Sequence, residues 1–153
     1  MPTNNPLQAE AIENSMTYLT KSLNLLLWLQ LVAKTSHWNI RGILFLPQHR
    51  LYDEIFDIAV KGTDLVAERI AQLGEVVVPE TTSLPEELTT VNDIPTHMTQ
   101  MVSALSDVSQ QLREGAKGTE DSDPFTADTL IEIGRDIDKM LWFMESHIPQ
   151  KVT

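Results

Sequence analysis

At 153 residues the chain has the length of one domain, which can bury a sizeable core but leaves no room for two ordinary domains. It contains no cysteine, which excludes a disulfide framework, a thiol nucleophile and a thiolate metal site. Its formal net charge of −11 repels nucleic acid and anionic membrane and attracts cations, although a negative surface also serves ordinary solubility.

The two ends of the chain carry little positive charge. Residues 1–6 hold two prolines and two asparagines and are expected to form a disordered arm, with a short tail at 149–153. No Lys or Arg precedes Lys21, and the N-terminal stretch lacks the basic and apolar regions of a secretory signal. No apolar run is long enough to cross a bilayer. We therefore expect a cytoplasmic protein without a membrane partner.

The first predicted helix covers residues 7–35, with apolar side chains that step by three and four positions toward His37. Its segment 23–32, LNLLLWLQLV, is apolar almost all round, which indicates burial on more than one side. A bundle of this size would expose part of that segment, so the pattern predicts an oligomer. Gly42 and Pro47 then mark a turn.

The second predicted helix, residues 46–73, separates a core face from a polar face and ends at Gly74. At about 100° per residue, one imidazole and three carboxylates fall within about 100° of one another: His49, Asp53, Asp64 and Glu68. The expected core positions lie on the opposite side: Leu51, Ile55, Ile58, Gly62, Val66, Ile70 and Leu73. Apolar residues also lie beside the acids, which a purely solvated face would seldom need: Phe56, Val60, Ala67 and Ala71.

The side chains of the polar face are too widely spaced to bind one metal ion. Asp53 and Asp64 are roughly 16 Å apart at helical rise, whereas the ligands of a metal ion lie within a few ångström of it. A second copy of the helix, antiparallel across a two-fold axis, would bring its Asp64 and Glu68 opposite His49 and Asp53 of the first. The spacing predicts two equivalent sites, each shared by two chains, and His37 could complete each set.

The residue types narrow the choice of metal. Imidazole and carboxylate ligands together favour a divalent first-row metal over calcium, which takes oxygen ligands. Iron is the natural interpretation. Zinc could compete, because by affinity order alone it binds such a site more tightly than Fe²⁺. Selection of iron would then depend on availability and geometry.

Residues 75–95 form a long connection that contains three prolines, with a short helix predicted at 83–88. A connection of about twenty residues is unusual in a compact domain and is typical of a crossover between parallel helices. The third long helix, predicted at 93–115, carries a regular core stripe. His97, at the edge of that stripe, is interpreted as a partly exposed surface residue rather than a ligand.

The segment 118–128, GTEDSDPFTAD, is acidic and opens the last helix, which is predicted to run to Ile148. Acids at a helix N-terminus cap free amides and complement the helix dipole, so a structural role explains them as well as a functional one. His147 in the last turn is likewise explained by the dipole and is not interpreted as a ligand.

Two motifs carry a resemblance to a known family. Residues 37–53 fit H-W-N-x-x-G-x-x-F-x-x-x-H-x-x-x-D, and residues 64–74 fit D-x-x-A-E-R-I-x-x-L-G. Together they resemble the signature of the Dps family of ferritin-like mini-ferritins, and residues 135–147, RDIDKMLWFMESH, resemble that family's last helix. The similar segments extend from about Leu23 to His147, which is most of the chain.

The resemblance implies one all-α domain over residues 1–153. Its fold would be a ferritin-like four-helix bundle with a long crossover between helices 2 and 3 and a short helix in that crossover, assembled as a hollow dodecamer. The implied iron-oxidising site lies at the two-fold interface, in agreement with the spacing of the carboxylates. Carried over by position, the family's ligands are His37, His49 and Asp53 from one chain with Asp64 and Glu68 from its neighbour.

The implied activity is that of a ferroxidase and iron store, in which hydrogen peroxide or oxygen oxidises Fe²⁺ and Fe³⁺ is kept as a mineral. In the family, acids near the last helix line iron-uptake funnels at a three-fold axis, and those positions here are Asp121, Asp123 and Asp128. Trp38 could intercept radicals, although interface packing explains it equally well. Asp57, about 80° from His49, is interpreted as a solvated neighbour in preference to a ligand for a second iron.

Two other functions are alternatives. A nucleoid protein that coats DNA would need several cations on the phosphates, and both the net charge and the N-terminal arm make direct DNA binding an unfavourable interpretation. A structural shell whose sites hold zinc, without redox activity, is compatible with the same ligands. The Glu-x-x-His pattern of a site within a single bundle does not occur in the sequence, which favours a shared site.

Overall fold

The computed structural model describes residues 3–80 and 83–148, which form an all-α bundle. Its helices are α1 (Ala9–Asn39), α2 (Phe45–Gln72), the one-turn α3 (Glu87–Thr90), α4 (Ile94–Thr119) and α5 (Pro124–Ser146). The predicted tail at 149–153 and the first two residues of the predicted arm lie outside the described residues. Thr3 and Asn5 each have a side-chain donor 3.4 Å from the Gln72 carbonyl oxygen, at the end of α2.

Contacts between the helices give their directions. Helix α2 runs antiparallel to α1, as shown by the hydrogen-bonded pairs Gln30–Thr63 and Lys34–Asp53. Helix α4 also runs antiparallel to α1, as shown by the pairs Asn14–Gly118 and Ser36–His97. Helices α2 and α4 are therefore parallel, so the chain between them must return along the length of the bundle. This confirms the predicted four-helix bundle with a long crossover between its second and third long helices.

The core consists of the inward faces of the four long helices. All predicted core positions of α2 are buried except Ile58, which is half-buried. The bounds of α2 differ from the prediction by one residue at each end. Helix α1 ends four residues later than predicted, at Asn39, so His37 lies inside its last turn.

Helix α4 continues one turn beyond the predicted end at Gly115. The ring of Tyr18 on α1 lies directly against Gly118, where an added Cβ would be 2.3 Å from the ring atom Cζ. Gly115, the predicted end, is also closely packed, since an added Cβ there would be 2.7 Å from Leu130 Cδ1. Glycine at both positions permits close approach of neighbouring helices and does not end α4.

The crossover covers part of the apolar segment of α1. The Trp28 indole donates a hydrogen bond to the Ser83 carbonyl at 3.0 Å, and the Asn24 side chain accepts one from the Glu80 amide at 3.0 Å. Leu31, on another side of the same segment, is exposed. The short helix α3 falls at Glu87–Thr90, later than predicted. Among the described residues, no helix has the length and apolar character needed to cross a membrane.

The predicted partial exposure of His97 was wrong. Its side chain is fully buried, with Nδ1 3.0 Å from Ser36 Oγ and Nε2 3.0 Å from the Val91 carbonyl oxygen. Close by in the fold, the Arg41 amide donates to the Asn92 carbonyl at 2.8 Å. The histidine therefore ties the end of α1 to the end of the crossover, a contact that the spacing of apolar residues within α4 does not reveal.

Candidate metal centre

Two predicted ligands face each other where α1 and α2 meet. His37 and His49 stack with ring centroids 3.5 Å apart and an interplanar angle of 21°. Nδ1 of His37 is 2.8 Å from the carbonyl oxygen of His49, and Nδ1 of His49 is 2.9 Å from that of His37. Because a carbonyl only accepts, each Nδ1 carries a proton, so in the neutral ring it is Nε2 that has the lone pair a metal ion can use.

Asp53 lies one turn beyond His49 and joins this pair. Its Oδ1 is 3.3 Å from Nδ1 of His37 and 2.5 Å from Nζ of Lys34, and its side chain is 45% exposed. The hydrogen bond from Lys34 holds the pKa of Asp53 below its ordinary value. Asp53 is therefore an ionised, accessible carboxylate, but its Oδ1 is directed toward Lys34.

Lys34 is a member of this site that the sequence analysis missed. Besides its bond to Asp53, the ammonium group lies 4.6 Å from the centroid of the Phe56 ring. Lys34 precedes His37 by three residues, which puts both side chains on one face of α1, so the spacing offered a usable signal. A fixed positive charge on a predicted metal ligand competes with any cation that binds there.

The other two predicted ligands lie further along α2. Asp64 and Glu68 are exposed, and neither has a hydrogen-bond or ion-pair partner among the described residues. They share one face of the helix, but Asp64 is about 16 Å from Asp53 along the axis. Within residues 3–80 and 83–148, no group of three or more His, Asp or Glu side chains is arranged to hold a metal ion. One chain brings three predicted ligands side by side and leaves the other two separate.

Exposed apolar side chains lie near both groups of ligands. Trp38 is 63% exposed, Leu31 46% and Val60 41%, and together we call them the apolar strip. Leu31 and Trp38 flank Lys34 on one face of α1, while Val60 precedes Asp64 by one turn of α2. An apolar surface of this kind is typical of contact with another chain.

Two further predictions concern single residues on or near this surface. Asp57 is exposed on α2, and its assignment as a solvated neighbour or as a ligand of a second iron stays a prediction. Trp38 directly follows His37, and its carbonyl accepts a hydrogen bond from the Arg41 guanidinium at 3.0 Å. Its role as a radical trap is likewise untested.

One of the three predicted pore residues lies in the interior. Asp123 is buried, caps α5 by accepting from the Thr126 amide at 3.2 Å, and forms an ion pair with Arg69 at 2.8 Å. Burial would raise the pKa of Asp123, but the hydrogen bonds from Thr126 and Arg69 outweigh it and hold that pKa below its ordinary value. A carboxylate enclosed in this way cannot line a solvent-filled funnel. Asp121 and Asp128 are exposed and stay candidates.

Arg69 is the second residue that the sequence analysis missed. It falls among the core positions of α2, at about 200° from His49 on the helical wheel. A charged residue within an apolar stripe indicates a buried partner of opposite charge, so the motif A-E-R-I contained the signal.

Comparison with known proteins agrees with this architecture. The antiparallel bundle, its crossover and its histidine and carboxylate surface define a ferritin-like protein, and the family model for ferritin-like domains matches residues 16–151. The DNA protection during starvation protein of Agrobacterium fabrum is 32% identical to this chain over 156 residues, which cover 97% of the chain and 96% of that relative. The chain belongs to the Dps family of ferritin-like proteins.

Solved structures support the same assignment. Dps92 from Deinococcus radiodurans matches with a TM-score of 0.85 at 26% identity, covering 94% of this chain and 91% of that one. Dps from Microbacterium arborescens, solved in a high iron form, matches with a TM-score of 0.85 at 26% identity. The match covers 96% of this chain and 98% of that one. The predicted ferritin-like bundle is confirmed.

Proposed function

We propose that this protein oxidises Fe²⁺ at sites shared by two chains and stores the resulting Fe³⁺ as a mineral in the cytoplasm. The hollow homo-dodecamer that would enclose the mineral is the assembly that the Dps resemblance implies. One observation carries the proposal: His37, His49 and Asp53 lie together at one end of α2, while two carboxylates without partners among the described residues extend from its other end.

A two-fold partner would complete the ligand set without rearrangement of the bundle. Isologous contact pairs position i with j and j with i, so one α2 lying antiparallel on its copy makes two identical sites. Each site would combine His37, His49 and Asp53 of one chain with Asp64 and Glu68 of the other. The apolar strip supplies area that such a contact would bury.

Iron is the substrate of the proposed reaction. Two Fe²⁺ ions lose one electron each, and one hydrogen peroxide accepts both electrons and two protons to give two water molecules. Oxygen is the alternative oxidant. The Fe³⁺ then hydrolyses and is deposited as oxide. Because Nδ1 of His37 and of His49 is hydrogen-bonded to a carbonyl, both Nε2 atoms are ready to bind iron without a change of tautomer.

Other charged side chains would affect how iron enters the shell and how many iron ions bind at each site. Asp121 and Asp128, exposed near the start of α5, are our candidates for the iron-uptake pore. Lys34 already places a positive charge on Asp53, which disfavours a second cation at that carboxylate. We propose one iron per site, with Asp57 as the only carboxylate that we nominate for a second, weaker one.

Two alternatives are weaker. Zinc binds such ligands more tightly than Fe²⁺ by affinity order, so a zinc-filled shell without redox activity is the competing assignment. Metal analysis of the purified protein distinguishes the two. Direct coating of DNA is not part of the proposal, although a relative is named for DNA protection, because a chain of net charge −11 repels phosphates. A salt-sensitive electrophoretic shift would revive it.

The shared site is tested by co-assembly of two inactive variants. His49→Ala and Asp64→Ala are purified separately and as a mixed assembly selected through two different tags. Fe²⁺ oxidation by stoichiometric peroxide is followed by absorbance. Asp107→Ala, which removes an exposed carboxylate on α4 away from the proposed interface, serves as the matched control.

We expect each variant alone to be nearly inactive, the Asp107 control to be fully active, and the mixed assembly to recover part of the rate. Only a mixed interface can contain one complete ligand set. Mixing of preformed shells should recover nothing. If wild-type protein oxidises iron no faster than free solution, the ferroxidase proposal fails, and a zinc-filled shell becomes the leading assignment.

A further inference from the structure

Arg69 makes a fork of buried contacts at the end of α2. Its Nη2 is 2.8 and 3.0 Å from the two carboxylate oxygens of Asp123, and its Nε donates to Thr126 Oγ1 at 2.9 Å. Its Nη1 also donates to Gln72 Oε1 at 3.2 Å within the last turn. The guanidinium is thus fixed in a planar, multiply bonded geometry that a lysine cannot reproduce.

Asp123 connects this fork to a third helix. The hydroxyl of Ser15, on α1, donates to Asp123 Oδ2 at 3.0 Å, and the Thr126 hydroxyl donates to the same oxygen. Asp123 and Thr126 belong to the N-terminal cap and first turn of α5. Arg69 therefore joins the end of α2 to both α1 and α5 through one buried carboxylate.

The other polar contacts between α2 and α5 within the described ranges are much more accessible. Lys61 reaches Glu132 at 3.1 Å and Asp136 at 3.5 Å, with all three side chains around half-exposed. Ion pairs of that kind contribute little to position because both partners are solvated and mobile. The Arg69 fork is thus a buried polar connection between the last turns of α2 and the rest of the bundle.

Glu68 is the residue immediately before Arg69, and Asp64 lies one turn earlier. Since neither carboxylate has a partner among the described residues, their positions depend on the helix that carries them. Helix ends open more readily than helix centres, and Gly74 ends α2 within two turns of Glu68. Fixing Arg69 thus fixes the direction in which Glu68 leaves the surface.

We infer that Arg69 is a positioning residue for Glu68 and Asp64, acting through α2 on the site of the neighbouring chain. This inference rests on the proposed function. Its consequence is that a buried ion pair inside one chain orders ligands that serve another. Loss of the ion pair should damage the carboxylate half of each shared site and leave the histidine half of the same chain intact.

The test removes both charges and keeps the cap. Arg69→Met combined with Asp123→Ser leaves no unpaired buried charge, and serine is a preferred helix N-cap. The matched control, Arg113→Met with Asp138→Ser, removes an Arg–Asp pair between α4 and α5 that does not involve α2. Arg69→Lys is the conservative variant. Circular dichroism and size-exclusion chromatography confirm folding and assembly before any comparison.

We expect the Arg69/Asp123 variant to lose about 10- to 100-fold in iron oxidation and in Zn²⁺ affinity, as measured by calorimetry, with a smaller loss for Arg69→Lys. The Arg113/Asp138 control should match wild type. Co-assembly with His49→Ala chains should restore one of the two sites at each mixed interface, because those chains supply intact carboxylates. Co-assembly with Asp64→Ala chains should restore none.

Other patterns overturn the inference. If the double variant oxidised iron and bound Zn²⁺ as well as wild type does, the Arg69–Asp123 pair would not be needed to position the carboxylates of α2. Restoration by Asp64→Ala chains would assign Arg69 to the histidine half, and restoration by neither partner would mean a general loss of structure. If the double variant does not assemble, Arg69→Lys is carried through the same mixing. Zn²⁺ binding reports these outcomes even where iron oxidation itself is absent, so failure of the proposed function is recognised separately.

Discussion

The two ends of helix α2 hold their predicted ligands in opposite ways. At the start, His49 exchanges hydrogen bonds with His37, and Asp53 is bonded to Lys34. At the end, Glu68 has no partner among the described residues, while the adjacent Arg69 is buried in a fork of contacts. The predicted ligands at the start of α2 thus contact side chains of their own chain directly, whereas those at its end depend on the helix that carries them.

This difference has an energetic consequence. A side chain that both binds metal and contacts its own chain contributes to folding as well as to function. A side chain that projects freely contributes to function alone. Substitutions along α2 should therefore separate stability from activity according to position, and the following experiments test that separation from the largest expected effect to the smallest.

Arg69→Leu should have the largest effect on stability. It leaves Asp123 buried and unpaired, which costs about 3–5 kcal/mol in the free energy of unfolding. Urea unfolding at pH 7 measures the loss. The pKa of Asp123 is lowered in the folded chain, so its stabilising contribution is present above the ordinary Asp pKa of about 4 and is lost as the pH falls through the folded value. The loss of stability caused by Arg69→Leu should therefore become smaller as the pH falls and Asp123 is protonated. An equal cost at acid and neutral pH would contradict this assignment.

His37→Ala and Asp64→Ala form a pair that sharpens the comparison directly. Both should abolish Zn²⁺ binding at the shared site. His37→Ala removes a buried, stacked and hydrogen-bonded ring, which we expect to cost about 1–3 kcal/mol of folding stability. Asp64→Ala removes an exposed carboxylate and should change stability by no more than about 0.5 kcal/mol. Parallel calorimetric titrations and urea curves measure both quantities, and equal stability losses would refute the division of α2.

Lys34→Met should alter metal binding more than stability. The ammonium group competes with a cation at Asp53, and partly exposed ion pairs of this kind contribute about 0.2–1 kcal/mol, so Zn²⁺ should bind about two- to fivefold more tightly without it. The pKa of Asp53 should rise toward its ordinary value. Lys21→Met removes the same charge near the middle of α1, well before Lys34, and should leave affinity unchanged. Weaker binding in Lys34→Met would show that Lys34 supports the ligands.

The sequence predicted the fold well because helical periodicity and helix ends are local properties. The bounds of α2 and its core positions follow from spacing within one segment. The pairing of the helices also followed, because a long crossover leaves few arrangements for a bundle. The errors in the fold arise where one segment packs on another. The end of α4 was placed too early, in a region where Gly118 packs against Tyr18 of α1. The burial of His97 was missed because its partners, Ser36 and Val91, belong to other segments.

The five ligands stay a prediction, although three of them lie side by side in the structure. The distance from Asp53 to Asp64 required a second chain whatever the details of packing, so the division of the set was already fixed by the geometry of one helix. Lys34 and Arg69 were missed, because their partners, Asp53 and Asp123, are distant in sequence. Asp123 was misassigned for the same reason, since composition cannot distinguish an acid that caps and pairs from one that lines a pore.

Tyr52→Phe should have the smallest effect on stability. It tests a buried residue at the histidine end of α2 whose side chain, unlike those of His49 and Asp53, is not hydrogen-bonded within the described part of the chain. Tyr52 is fully buried, and among the described residues its hydroxyl has no hydrogen-bond partner. Removing an unpaired buried hydroxyl should change the free energy of unfolding at pH 7 by no more than about 0.5 kcal/mol. Tyr18→Phe, at the other tyrosine of the chain, is the matched control.

The pH dependence gives this substitution a distinct signature. Burial raises the pKa of Tyr52 in the folded chain. The resulting contribution to stability is fully present below the ordinary phenol pKa of about 10 and is lost as the pH rises above it, because only the unfolded chain then ionises readily. Wild type should therefore lose stability relative to Tyr52→Phe above that pH. A loss of more than about 1 kcal/mol at pH 7 would instead mean that the Tyr52 hydroxyl is hydrogen-bonded in the folded protein.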